Sequence, residues 1–158
     1  MGPLTHLVYL ILLFIRNSTF ENRSNKVHFF KNDDFLPCLM AFLTQHNQHP
    51  LVRGQTAAVL WSLVHNHQGI KAAINKSAVI SELQNLRSQY QRDVDKLGYL
   101  SALSDPKQPS APEALNDYHA NLTVDDVTRN QEAQAEVVKQ TNEFVAKALS
   151  GILTLVQV

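Results

Sequence analysis

Apolar residues recur at three- and four-residue steps through most of the chain, which predicts helices and gives no sign of strands. The predicted helices cover about 3–15, 25–30, 35–44, 51–64, 69–74, 78–100 and 130–158. In the sixth of these helices the apolar positions form one face. That face consists of Val79, Leu83, Leu86, Tyr90, Val94 and Leu97. The pattern therefore indicates an all-α protein.

Two passages of similar character end helical runs in different parts of the chain. Leu-Leu-Phe-Ile-Arg-Asn at 12–17 and Trp-Ser-Leu-Val-His-Asn at 61–66 are offset by 49 residues. The amphipathic runs that follow them, 35–39 and 79–83, are offset by 44 residues. Such a period is typical of stacked helical repeats of the armadillo or HEAT kind, which are usually about 40–47 residues long. We therefore expect armadillo/HEAT-like helical repeats, an α-solenoid fragment, over 1–103.

A segment rich in proline and serine separates these repeats from the C-terminal region. Residues 104–112 contain three prolines and two serines, so we expect a linker with short helical turns over 104–129. A long helix is predicted over 130–158. Its apolar stripe widens toward the C-terminus, which is too apolar for a helix free in solvent. We expect it to cap the repeats; the alternative is a coiled coil with another chain.

Composition narrows the classes of partner. Lys plus Arg and Asp plus Glu both number 14, so no net charge attracts nucleic acid or anionic lipid. The apolar run 4–15 could be the core of a signal peptide or an anchor. However, it lacks a charged n-region and is shorter than the roughly 18–20 residues that span a bilayer. A buried repeat helix is the preferred interpretation. Cys38 is the only cysteine, and its apolar neighbours predict a buried thiol.

Residues that could carry catalysis or bind a metal form no recognisable set. The histidine pairs His46 with His49 and His65 with His67 lie among Gln, Asn and Pro, and a zinc site would need further ligands. The sequence has no Gly-x-Ser-x-Gly and no phosphate-binding glycine loop. We therefore expect no enzyme activity, no metal, no cofactor and no small-molecule substrate.

Four residues near the ends of the two similar passages are candidates for binding a protein partner: Arg16, Asn17, His65 and Asn66. In armadillo repeats an asparagine late in the third helix often faces the concave groove and can pair with a peptide backbone. In nuclear-import adaptors a tryptophan precedes that asparagine by four residues. Here Trp61 precedes Asn66 by five, which places the two about 140° apart on a helix. Trp61 is therefore expected in the core, and the two asparagines could instead close their helix ends.

Residues 1–92 resemble the C-terminal armadillo-like region of the rotatin family, very large proteins of centrioles and ciliary basal bodies. The resemblance depends on Arg16-Asn17, on Asn25-Lys26 before His28-Phe29-Phe30, and on the segment AAVLWSLVHNHQ at 57–68. It implies a non-enzymatic scaffold that acts in centriole and basal body assembly, in ciliogenesis, and in left-right axis formation in animals. It also implies a location in the cytoplasm at the centrosome, centriole and ciliary basal body.

Two functions follow as expectations. The first is this scaffold. Its partners are expected to be other proteins, with centriolar or ciliary components suspected. Binding to nucleic acid or to a membrane is not expected. The alternative is a general armadillo-type peptide-binding adaptor in signalling or transport. The chain is also expected to be a piece of a longer repeat array.

Overall fold

A computed structural model of the protein describes residues 2–45, 49–103 and 121–157. These residues form seven helices and no strand, so the all-α prediction is confirmed for the part of the chain described. The helices are α1 (Pro3–Thr19), α2 (Arg23–Phe30), α3 (Phe35–Thr44), α4 (Pro50–Val64), α5 (Gln68–Asn75), α6 (Val79–Leu103) and α7 (Asn121–Gln157). Each of the six helices predicted before residue 104 corresponds to one of α1–α6, with differences at the ends.

Two units of three helices follow one another along the chain. The unit α2–α3–α4 begins at Arg23 and the unit α5–α6–α7 begins at Gln68, an offset of 45 residues. The turns that lead into the two units are alike, because Glu21 and Asn66 both have a φ of 54°. The similarity extends to the caps of the short helices α2 and α5. Asn22 accepts a hydrogen bond from the backbone N–H three residues later, and so does His67.

Helix α4 lies between α1 and α7 and contacts both of them. It also packs against α3 and α5, and α7 contacts α5 and α6 as well. In the second unit α7 thus occupies the place that α4 has in the first. The core is formed by buried residues from all three of these helices and from α3, α5 and α6. Its fully covered members include Leu39, Val52, Val59, Leu63, Ile74, Leu83, Val145, Leu149 and Ile152.

The end of α1 differs from the sequence prediction. The polar residues after Ile15 were expected to end the helix, but α1 continues to Thr19. Ser18 and Thr19 lie in its last turn, and each hydroxyl donates to the carbonyl of Ile15, at 3.0 and 2.8 Å. With the 45-residue offset, Asn17 corresponds to Ser62 and not to Asn66. The 45-residue offset lies within the range of 44 to 49 residues that the sequence indicated, but it pairs different residues of α1 and α4 than an offset of 49 does.

The side chain of Cys38 is exposed, so the prediction of a buried thiol is wrong. Helix α3 buries Leu39, Met40 and Leu43, and these three residues define its inner face. Cys38 lies roughly 145° around the helix from the middle of that face. Apolar neighbours in the sequence were misleading because successive helical residues point in different directions.

Helix α7 begins at Asn121 and is longer than the helix predicted from residue 130. Its C-terminal half is packed on α4 and α6, and its buried residues include Val145, Leu149, Ile152 and Val156. The predicted linker is outside the described residues over 104–120, and so is His46.

Helix α1 carries a second apolar face in addition to the one that packs on α4. Its side chains are exposed, with Leu4 at 74% and Phe14 at 67%. The others on this face are Leu7 and Ile11. Among the helices described, none is both long and apolar enough to cross a membrane.

Candidate protein-binding cleft

Helix α4 is buried on all sides except one. Its open side carries Leu51, Ala58 and Trp61, whose spacing of seven and three residues keeps them on one helical face. Trp61 is 37% exposed, so the expectation that it belongs to the buried core is wrong. The neighbouring helices cover the other sides of α4, where Leu60 and Val64 are buried.

A cleft of about 370 Å³ crosses the three neighbouring helices α1, α4 and α7 at Trp61. All three helices contribute side chains to it. Its lining consists of Arg16, Phe20, Ala58, Trp61, Ser62, Phe144, Lys147 and Ala148.

Arg16 and Trp61 have matching positions in α1 and α4, since each lies three residues before the last residue of its helix. Both side chains line the cleft. Phe20 follows one turn after Arg16 and is 59% exposed. On α7, Phe144 is 48% exposed and Lys147 lies three residues further along. Three accessible aromatic rings and two cations thus surround one cleft.

Two glycines allow α4 and α7 to approach closely beside the cleft. A Cβ on Gly54 of α4 would lie 3.3 Å from the Thr141 methyl group of α7. A Cβ on Gly151 of α7 would overlap the six-membered ring of Trp61. Gly54 therefore permits a close approach of the two helices, and Gly151 provides the space that the Trp61 ring occupies.

A buried hydrogen bond joins α1 to α4 at the edge of the cleft. The hydroxyl oxygens of Thr19 and Ser62 lie 3.0 Å apart, and Thr19 is fully buried. Thr19 also donates to the carbonyl of Ile15, so Ser62 can donate to Thr19. This bond holds the two helices in the register that places Arg16 beside Trp61.

A buried lysine fixes the turn that follows α4. Lys26 of α2 is 2% exposed, and its Nζ donates to the carbonyl oxygen of His65 at 2.5 Å. His65 is the C-cap of α4, where a cation is favourable beside the unpaired carbonyls. Burial lowers the pKa of Lys26, and the charge of Glu21 opposes that effect in part.

The four candidate residues from the sequence do not form one site. Arg16 lines the cleft, and Asn17 is exposed outside its lining. His65 and Asn66 lie beyond the end of α4, with Asn66 Nδ2 3.1 Å from His65 Nε2. The left-handed φ of Asn66 agrees with its closing the end of α4, whereas Asn17 lies within α1.

Sequence reasoning missed Phe20, Phe144 and Lys147. The first was missed because α1 was expected to end before it. Phe144 belongs to the apolar stripe of the last helix, which was expected to be covered, yet its side chain is 48% exposed. The offset of 45 residues between Arg16 and Trp61 is the signal from which the α1 side of the cleft could have been predicted.

The chemistry of the cleft is that of a binding surface. Both charged residues of its lining are cations, and neither forms an ion pair with a described residue. Within the described ranges, no group of three or more His, Cys, Asp or Glu side chains is arranged to hold a metal ion.

Comparisons with models of known protein families, with curated proteins and with solved structures find no match.

Proposed function

We propose that the chain is a non-enzymatic scaffold built from armadillo/HEAT-like helical repeats, and that it binds partner proteins through the cleft across α1, α4 and α7. The observation that carries the proposal is this cleft, to which the equivalent helices of successive units each contribute. Stacked helical repeats create extended surfaces that bind other proteins. Aromatic residues and arginine, such as Trp61 and Arg16, are enriched in protein interfaces.

The second part of the proposal concerns where the scaffold acts. The sequence resemblance to the rotatin family supports a role at the centriole and ciliary basal body, in their assembly and in ciliogenesis. The exposed apolar face of α1 supports a repeat array, since a neighbouring repeat covers such a face in a solenoid. The alternative is a peptide-binding adaptor in signalling or transport, which the same cleft would serve.

Localisation of the tagged chain in ciliated cells tests the proposal. We expect it to accumulate at centrioles and basal bodies, and we expect Trp61→Ala and Phe144→Ala to reduce that accumulation. Arg87→Ala is the control, because Arg87 is exposed on α6 and lies outside both the cleft and the apolar face of α1. The thermal unfolding midpoint of each variant is measured to separate loss of binding from loss of folding.

The outcomes distinguish the two functions. If the folded chain is distributed diffusely in the cell and binds a partner in a way that depends on Trp61, the adaptor function is favoured. Centriolar accumulation that persists in both cleft variants would show that another surface recruits the chain.

A further inference from the structure

We infer that the cleft recognises an extended acidic segment of a partner protein, in which a large apolar side chain enters beside Trp61 and flanking carboxylates meet Arg16 and Lys147. The inference rests on the proposed function and adds the chemical class of the partner. Charge complementarity is the observation that selects this occupant.

The cations of the cleft stand out against the composition of the chain. The chain as a whole has a formal net charge of zero, yet no acidic residue lines the cleft in the part of the chain that the structure describes. Arg16 is exposed on α1 and Lys147 is exposed on α7, so the two charges come from opposite sides of α4. Since neither is paired with a described carboxylate, both are available to a ligand. A guanidinium can bind a carboxylate through two parallel hydrogen bonds.

The aromatic residues define the rest of the ligand. Trp61 is held in place by its contact with Gly151, and Phe20 and Phe144 lie on the two neighbouring helices. A volume of about 370 Å³ is near the lower limit for small-molecule pockets, which suits an anchoring side chain better than the face of a whole helix. Buried aromatic or aliphatic anchors with a charged rim are the usual arrangement where few residues dominate binding.

Trp61 is the only tryptophan of the chain, so its fluorescence reports directly on the cleft. The full chain is titrated with three pools of synthetic peptides of equal length that lack tryptophan. Each peptide has a central Phe or Leu, and its flanking residues are Asp and Glu, Lys and Arg, or Ser and Gln. We expect the acidic pool to shift the Trp61 emission and to bind about tenfold more tightly than the neutral pool. We also expect added salt to weaken this binding.

Charge-reversal variants locate the contact. Arg16→Glu and Lys147→Glu should each weaken binding of the acidic pool about tenfold, because a repulsion replaces an attraction. Arg87→Glu is the matched control, since Arg87 is exposed on α6 and lies outside this cleft. Its affinity for the acidic pool should equal that of the parent chain.

Each contrary result has a separate meaning. If the neutral or basic pool binds best and shifts the Trp61 emission, the cleft binds peptides and the acidic assignment is wrong. Displacement of the acidic pool by phosphatidylserine vesicles that bind through Arg16 and Lys147 would assign the cations to a membrane surface. If no pool changes the emission, the inference is overturned, and the localisation experiment decides the proposed function independently.

Discussion

The ring of Trp61 lies against the backbone of Gly151, so closely that a Cβ at position 151 would overlap the ring carbons Cζ3 and Cη2. This contact joins α4 to α7 directly beside the cleft. Because the ring cannot move toward α7, it keeps the part of its surface that faces the cleft accessible. The absence of one methyl group on α7 thus determines the position of the Trp61 ring in the candidate site.

We therefore expect Gly151→Ala to displace Trp61 and to destabilise the fold. Alanine gains about 1 kcal/mol over glycine within a helix, but overpacking costs about 1–3 kcal/mol, so the net loss should be about 1 kcal/mol. The measurements are Trp61 emission and the free energy of unfolding in urea. Gly69→Ala is the control, since a Cβ there would meet the His67 ring at 3.4 Å, an ordinary contact. Equal stabilisation by both substitutions, with unchanged emission, would contradict the expectation.

The sequence was informative for the helices that are amphipathic. It was much less informative for α4, which is not amphipathic. The stripe of α6 was predicted correctly, and its members Leu83, Leu86 and Tyr90 are buried because only one side of α6 packs on the rest. Helix α4 is packed on three sides and buries Gln55, Thr56 and Ser62 along with its apolar residues. A pattern of apolar positions cannot identify the open side of such a helix.

The candidate site was predicted only in part because it depends on the offset between the units. An offset of 49 residues pairs Asn17 with Asn66, whereas 45 residues pairs Arg16 with Trp61. The difference arises within α1, where side-chain hydroxyls that usually favour helix ends instead bond to helical carbonyls. The contribution of α7 to the cleft could be predicted only by knowing that this helix packs on α4, because a long stretch of sequence separates the two helices.

Tyr90 provides a second testable contact between elements. Its Oη donates to the carbonyl oxygen of Leu43 at 2.9 Å, and that carbonyl is one of the last four of α3, which lack helical partners. Since Tyr90 is 3% exposed, Tyr90→Phe leaves the carbonyl unpaired in a buried setting and should cost about 1–2 kcal/mol. Tyr9→Phe is the control, because the half-buried Tyr9 forms no hydrogen bond with a described residue. An equal effect of both substitutions on urea unfolding would argue against the hydrogen bond.

The same tyrosine predicts how stability depends on alkaline pH. Burial raises the pKa of Tyr90 above its usual 10.0, and the nearby charge of Arg53 opposes that rise in part. Because ionisation is less favourable in the folded protein, this contribution to stability is fully present below pH 10 and is lost as pH rises through the elevated pKa. We expect the difference in unfolding free energy between the parent and Tyr90→Phe to shrink above pH 10. A difference that stays constant with pH would show that Tyr90 does not titrate in this way.

His49 predicts a dependence on acidic pH. Its Nδ1 accepts the backbone N–H of Leu51 at 3.3 Å at the start of α4, which requires an unprotonated nitrogen. Burial lowers the pKa of His49 below 6.5, and the charge of Arg53 lowers it further. The unfolded chain therefore binds the proton more readily, so this contribution is present above pH 6.5 and is lost as pH falls through the depressed pKa. We expect His49→Asn, which can cap without titrating, to lose less stability than the parent between pH 7 and pH 5. Identical pH profiles for the two proteins would exclude this role.

Lys26 and Lys71 occupy equivalent positions in the short helices α2 and α5, but only Lys26 is fully buried. Lys26→Ala removes both the packed stem and the hydrogen bond to the His65 carbonyl, and should cost about 2–4 kcal/mol. Lys26→Met keeps most of the packed stem, and removing the buried charge offsets part of the free energy lost with the hydrogen bond. Its loss of stability should therefore be smaller than that of Lys26→Ala. Lys71→Ala, at a half-buried position, should change the free energy of unfolding by less than about 1 kcal/mol. Urea unfolding of the three variants checks this order. If Lys71→Ala cost as much as Lys26→Ala, the special role of Lys26 in holding the turn after α4 would be wrong.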